Sequence, residues 1–233
     1  MFISVIITAG GSGKRLNSKV KKQYLQINGK SILCLTIDKF YHHNEINEII
    51  VTLPKNKDNK MINEIKTKYP KKTIKFANGG KERQDSVFNA LKMCNKKADK
   101  VLIHDGVRPF VTEKDISNVI NALDNKSCVI LARKTVNTIK SVKNGKIIKT
   151  VDRTSLYDAF TPQGFDYNTI LNLHIQAKED GKKFTDDAAI CEYYKKDVFV
   201  VETSNFNLKI TTAEDFELAK KIINKGDYKN EKD

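Results

Sequence analysis

No apolar run in this 233-residue chain approaches the length of a membrane span. The N-terminus, Met1-Phe2-Ile3-Ser4-Val5, is apolar but lacks a basic leader and a small-residue cleavage site, so neither a signal peptide nor a transit peptide is expected. Cysteine is sparse. Cys34, Cys94, Cys128 and Cys191 form no Cys-x-x-Cys pair and no ligand-like spacing, and they fall within apolar patterns. Buried free thiols in a reducing cytoplasm are the expectation, or in an organelle stroma if the source bears plastids. Arginine is scarce as well: of 42 Lys and Arg, only Arg15, Arg83, Arg108, Arg133 and Arg153 are arginine. Lysine is therefore the ordinary solvated cation of this chain. The net charge of +14 raises the question of nucleic acid. However, basic clusters such as Lys19-Val20-Lys21-Lys22 are interleaved with Asn and Asp rather than aromatics, which argues against a nucleic-acid partner. The rare arginines mark positions that need a rigid bidentate fork.

The chain does contain alternating strand and helix patterns. Residues 2–8 form a continuous β-branched run, as a central parallel strand does. Strands are expected at 47–53, 73–77, 100–104, 127–132, 198–202 and 207–210. Helices are expected at 31–41 with a Ser cap, 58–69, 82–94, 113–124 capped by Thr112, 166–179, 186–195 and from Thr212, with Asp215 at capping-box spacing. This alternation predicts a doubly wound α/β sheet with its site at the carboxyl ends of the strands. Residues 134–142 and 146–152 alternate around Lys143-Asn144-Gly145, a hairpin signal that such a sheet does not need. The hairpin is therefore read as an arm on a single domain spanning residues 1–233, with no linker or repeat dividing it.

Thr-Ala-Gly-Gly-Ser-Gly-Lys-Arg-Leu, residues 8–16, follows the first strand. It lacks the last glycine and the carboxylate of a dinucleotide fingerprint. It also lacks the first glycine of a Walker loop and has Arg15 in place of the Mg²⁺-binding hydroxyl. What remains is a turn rich in exposed backbone N–H groups, suited to anions, that leads to Arg15 and Lys22. Asp105, just past a buried strand in His104-Asp105-Gly106-Val107-Arg108-Pro109, sits where α/β folds place metal ligands; His104 reads as a structural residue. Gly79-Gly80 lets a flat ligand approach the backbone, with Glu82, Asp85 and Ser86 in the following helix turn as either caps or contacts. Thr161-Pro162-Gln163 and Thr185-Asp186-Asp187 are read as turns offering hydroxyls, the second doubling as a helix cap. Lys209, inside an apolar stretch, is expected to face an anion or reach for water.

Together, TAGGSGKRL with Lys22-Gln23-Tyr24-Leu25, GGKERQDSV, HDGVRPF, NTIK, TVDRTSLYDAFTPQ, TDDAA and NLKITTAEDFELA resemble the 2-C-methyl-D-erythritol 4-phosphate cytidylyltransferases of non-mevalonate isoprenoid synthesis, over residues 3 to about 223. The resemblance implies a Rossmann-like nucleotidyltransferase fold that joins CTP to methylerythritol phosphate with Mg²⁺ and releases pyrophosphate. It implies that Arg15, Lys22 and Lys209 are catalytic cations or phosphate-positioning groups, with Thr8, Ala9, Gly10, Gly11, Ser12 and Gly13 cradling the triphosphate. Gly80, Lys81 and Ser86 would meet the nucleoside and Asp105 the metal. Arg108, Thr161 and Thr185 would meet the alcohol phosphate. It further implies a homodimer through the arm at about 134–152, with Thr138 and Arg153 reaching the partner's site. Three positions depart from the family pattern: Lys21 stands where proline is usual, Asn137 where aspartate is, and Tyr157 where tryptophan is common. The rival expectations are a ribitol-5-phosphate cytidylyltransferase, a sugar-1-phosphate nucleotidyltransferase using UTP or dTTP, and a basic nucleic-acid-binding protein.

Overall fold

The computed structural model describes residues 1–11, 21–55 and 59–225. A seven-stranded sheet runs in the order β11 (Phe199–Glu202), β7 (Cys128–Lys134), β10 (Tyr157–Asp166), β6 (Lys100–Asp105), β1 (Ile3–Thr8), β4 (Glu48–Leu53) and β5 (Thr73–Asn78). Strands β1, β4, β5 and β6 are parallel, joined through α1 (Ile32–Tyr41), α2 (Asn59–Lys68) and α3 (Arg83–Leu91). The chain then passes through α4 (Glu113–Ala122) to β7, and β10 wedges antiparallel between β6 and β7. Helices α5 (Tyr167–Glu179) and α6 (Asp187–Tyr193) lead to β11, which is parallel to β7, and α7 (Ala213–Asn224) closes the described chain.

Strand alternation sorts β1 between two cores. Ile3, Val5 and Ile7 pack with Phe40 of α1, Ile65 of α2 and Val119 of α4. Ile6 packs on the other face with Val87 and Leu91 of α3, Ile170 of α5 and Ile190 of α6. A strand buried on both faces has no use for polar alternation, so β1 reads as one apolar run. Helix starts follow their caps: Ser31 Oγ accepts from Cys34 N, and Thr112 and Thr212 each form a capping box with the aspartate three residues on.

The expected hairpin is present as β8 (Ile139–Lys143) and β9 (Lys146–Val151), turning on Asn144 and Gly145 with φ of 52° and 77°. Two expectations are corrected. Residues 207–210 are not a strand: Ile210 N donates to Val107 O, but no ladder forms, and Lys209 is drawn to a carboxylate. Thr161-Pro162-Gln163 is not a turn but the middle of β10. The register shifts between Ala159 and Gln163, which gives Pro162, lacking an N–H, a place off the ladder. A small unforeseen pair, β2 (Gln26–Ile27) and β3 (Lys30–Ser31), turns on Asn28-Gly29 and packs in a third cluster with Val107, Leu208 and Ile210.

Candidate active site

The carboxyl ends of β1, β4 and β6 open onto a cleft of about 450 Å³. Thr8, Ala9, Gly10, Gly11, Lys22, Gly80, Lys81, Ser86, Asp105 and Lys209 all line it, so most of the nucleotide-site expectations meet in one place. Ser12, Gly13 and Arg15 lie outside the described residues.

The glycine walls are set by close backbone approach. Ala9 N donates to Thr52 O at 3.1 Å, and Gly79 N donates to Leu53 O at 2.6 Å, pinning both loops to the end of β4. A Cβ on Gly80 would fall 2.1 Å from Asp85 Cβ, and one on Gly10 would fall 3.3 Å from Gly79 Cα. Ser86 fixes the same loop from below: its Oγ accepts from Gly80 N at 2.9 Å and donates to Glu82 O at 3.1 Å. Glu82 and Asp85 resolve as the two halves of the α3 capping box. Gln23, not singled out from the sequence, is buried and donates to Ala9 O at 2.8 Å and Gly11 O at 3.2 Å, tying the segment that carries Lys22 to the glycine loop.

Asp105 is the electrostatic centre. Lys209 Nζ sits 2.7 Å from Oδ2, Arg108 Nε 3.6 Å from the same oxygen, and Arg83 Nε 3.4 Å from Oδ1, with the Thr8 hydroxyl donating to Oδ1 at 3.3 Å. Burial works to raise the carboxyl, but the charges of Arg83, Lys209 and Arg108 outweigh it and hold the group far below the usual carboxylate range. Burial lowers Arg108, and Asp105 opposes it. Arg108 also donates to Asn207 O at 2.6 Å and lies over the Phe160 ring. Asn207 in turn donates to Thr161 O at 2.7 Å, and Thr161 Oγ1 accepts from Asp105 N at 3.2 Å. Thr161 and Arg108 thus stand directly behind Asp105. His104 is structural, as expected: it is fully buried, its Nε2 lies 3.0 Å from Arg108 O, and burial pushes its pKa down to about 4.

The remaining expected residues lie elsewhere. Thr185 is exposed just before α6, and the helix cap is Asp186, whose side chain accepts from Ala189 N at 3.0 Å. Thr138 and Arg153 are exposed at the root of the hairpin, where Arg153 Nη1 donates to Val136 O, outside the residues that line the cleft. Sequence reading missed the role of Arg83. Its Nη1 pairs with buried Asp187 Oδ2 at 2.7 Å, 104 residues away, while its Nε faces Asp105. Its membership of the small arginine set was the available signal. Burial opposes the charge on Arg83, but Asp187 and Asp105 more than compensate and raise its pKa. Burial works to raise Asp187, and Arg83 leads the interactions that lower it.

Among the described residues, no three His, Cys, Asp or Glu side chains cluster as a metal cage. Among the described residues, the donor set would fit a divalent ion through the single ionised carboxylate Asp105 at the edge of the cleft, with the other ligands coming from a bound anion's oxygens and water.

A mostly parallel sheet with a glycine-walled, cation-lined cleft at the carboxyl ends of its parallel strands defines an α/β nucleotide-binding protein of the nucleotidyltransferase kind. The 2-C-methyl-D-erythritol 4-phosphate cytidylyltransferase profile matches residues 3–225. The chain is 46% identical to the 2-C-methyl-D-erythritol 4-phosphate cytidylyltransferase of Clostridium botulinum (strain Loch Maree / Type A3), covering 95% of this chain and 97% of that one. It is 41% identical to the protein of the same name from Clostridioides difficile (strain 630), covering 95% and 93%. Its fold is similar to the crystal structure of the Anaerococcus prevotii 4-diphosphocytidyl-2C-methyl-D-erythritol synthase, with a TM-score of 0.85, 35% identity and 96% of each chain covered. The chain belongs to the 2-C-methyl-D-erythritol 4-phosphate cytidylyltransferase family.

Proposed function

We propose that this protein transfers CMP from CTP to 2-C-methyl-D-erythritol 4-phosphate, giving 4-diphosphocytidyl-2-C-methyl-D-erythritol and pyrophosphate. The observation that carries this reading is the cleft in which the glycine loops face Asp105 and its cations, in a chain of this family. A phosphate oxygen of the alcohol attacks the α-phosphorus, and the bond from that phosphorus to the bridging oxygen of pyrophosphate breaks. The nucleophile is already ionised at neutral pH, so no general base is needed. The protein's task is to hold two anions in line and stabilise charge on a five-coordinate phosphorus.

In this reading Thr8, Ala9, Gly10, Gly11, Ser12 and Gly13 offer backbone to the triphosphate, and Gly80, Lys81 and Ser86 frame the nucleoside. Arg15, Lys22 and Lys209 stabilise the transferring phosphoryl group. Asp105 is the residue that would hold Mg²⁺, which when bound neutralises phosphate charge. Arg108, Thr161 and Thr185 serve the alcohol phosphate end. The whole chain acts as one domain, and its hairpin serves as a dimer arm. Val142, Ile147 and Ile148 are exposed there, an apolar surface suited to a second copy. Thr138 and Arg153, at the arm's root, reach the partner's cleft. The buried free thiols suit a cytoplasmic protein.

The test is parallel turnover with CTP and either methylerythritol phosphate or ribitol 5-phosphate, followed by pyrophosphate release. Preference for methylerythritol phosphate is expected. Preference for ribitol phosphate would reassign the substrate, and release with neither would remove the reading.

A further inference from the structure

Asp105 is reached from α5 by a continuous line of polar contacts, buried at His174, Asp187 and Asp105 and half-buried at Arg83. His174 is 1% exposed, and its Nε2 lies 3.1 Å from Asp187 Oδ1. The other oxygen of Asp187 takes Arg83 Nη1 at 2.7 Å, and Arg83 Nε faces Asp105 Oδ1 at 3.4 Å. His174 Nδ1 is buried and has no hydrogen-bond partner among the described residues. Facing a carboxylate, Nε2 must be the protonated nitrogen, since a bare lone pair there would be repelled. The Phe88 ring lies parallel to the imidazole within 3°, with 6.2 Å between centroids.

We propose that His174 is a positioning residue for the transfer reaction, acting on Asp105 through Asp187 and Arg83 without touching substrate. The proposal rests on the reading of Asp105 as an active-site carboxylate. By occupying one oxygen of Asp187, His174 limits that carboxylate to a single bond with Arg83. The guanidinium then spans both aspartates. Without the imidazole, both Asp187 oxygens are available to the same guanidinium, and the bidentate fork is the stronger pairing. Arg83 turns towards Asp187, and Asp105 loses one of the three cations that the described residues place on it, with the Thr8 hydroxyl still on Oδ1.

The test combines two substitutions with a double-mutant cycle. His174→Leu lowers kcat about tenfold with KM for CTP changed by less than about twofold, as loss of an outer-shell partner does. His174→Gln, whose amide nitrogen can still donate to Asp187, keeps kcat within about threefold of the parent. In an Arg83→Gln background, His174→Leu has no further effect on kcat, because its route to Asp105 is already cut. If His174→Leu keeps wild-type kcat, or lowers it equally with and without Arg83, the proposal is overturned. Should the leucine variant fail to fold, His174→Asn, polar but too short to reach Asp187, replaces it in the cycle. Asp105→Ala separates the two levels. If that variant turns over normally, the reading of the site fails. If it is inactive while His174→Leu is normal, only the positioning role fails.

Discussion

Gly80→Ala concentrates the structural argument in one methyl group. The added Cβ would lie 2.1 Å from Asp85 Cβ and 3.0 Å from the Asp85 carbonyl carbon. Carbon atoms in contact sit about 3.5 Å apart, so the shortfall is roughly 1.4 Å. Helix α3 cannot easily yield. Its first turn is tied by Glu82 N to Asp85 Oδ2 at 3.1 Å, and Gly80 N itself donates to Ser86 Oγ at 2.9 Å. Nor is the loop free behind Gly80, because Gly79 N is held by Leu53 O at 2.6 Å. The displacement must therefore appear in the cleft wall. A shift of about 1 Å in a positioning element costs on the order of 10²-fold, expected here in KM for CTP with KM for methylerythritol phosphate little changed. Overpacking costs about 1–3 kcal/mol, or a fall in Tm of roughly 2–12 °C for a chain of this length. Pyrophosphate release at saturating alcohol phosphate reads the first, and thermal unfolding reads the second. Gly11→Ala is the stability control, since among the described residues nothing lies within 4 Å of its Cβ, and its Tm should match the parent. A Gly80→Ala enzyme with the parent's KM for CTP and the parent's Tm would refute the argument.

Three further outcomes follow from the proposed function and the site. In the proposed mechanism Lys22 and Arg15 serve the transition state, so Lys22→Ala and Arg15→Ala should each lower kcat by about 10²-fold or more while CTP affinity moves only a few-fold; normal turnover in either would remove that residue from the role. Asp187 has a depressed folded-state pKa, so as pH falls through about 3.9 the unfolded chain takes up the proton first. Its stabilising effect is present above that pH and lost below it, so the urea midpoint should drop more between pH 5 and pH 3 for the parent than for Asp187→Asn. In the proposed dimer, half of a random mixture of inactive Lys22→Ala and Arg153→Ala proteins is heterodimer with one intact site, so mixing them should restore about a quarter of the parent activity. No restoration would place Arg153 outside the partner's cleft.

Much of this molecule is legible in the sequence because local and tertiary demands agree. β1, β4 and β6 are apolar runs because both of their faces are covered, and the Asn144-Gly145 turn supplies the φ > 0 pair that a tight hairpin requires. β10 was hidden by Pro162, which ordinarily argues against an inner strand, and only a register shift makes room for it. Residues 207–210 mimic a strand by alternation, but their contacts are side-chain bonds: Asn207 to Thr161 and Lys209 to Asp105. The Asn28-Gly29 turn carried the same signal as the longer hairpin and was readable. At the site, the glycines, Lys22, Asp105 and Lys209 follow from composition against position. The Arg83–Asp187–His174 line does not, because helices far apart in sequence bring those residues together, and no spacing records it.

The central claim is a single in-line transfer with a phosphate nucleophile and no covalent enzyme intermediate. The most direct test uses one diastereomer of CTP bearing sulfur on the α-phosphorus, with methylerythritol phosphate as acceptor and ³¹P NMR to read the product. In-line transfer gives a cytidylyl product with inverted configuration at phosphorus. Retention, which requires two displacements, would contradict the mechanism, and no cytidylyl product would contradict the function.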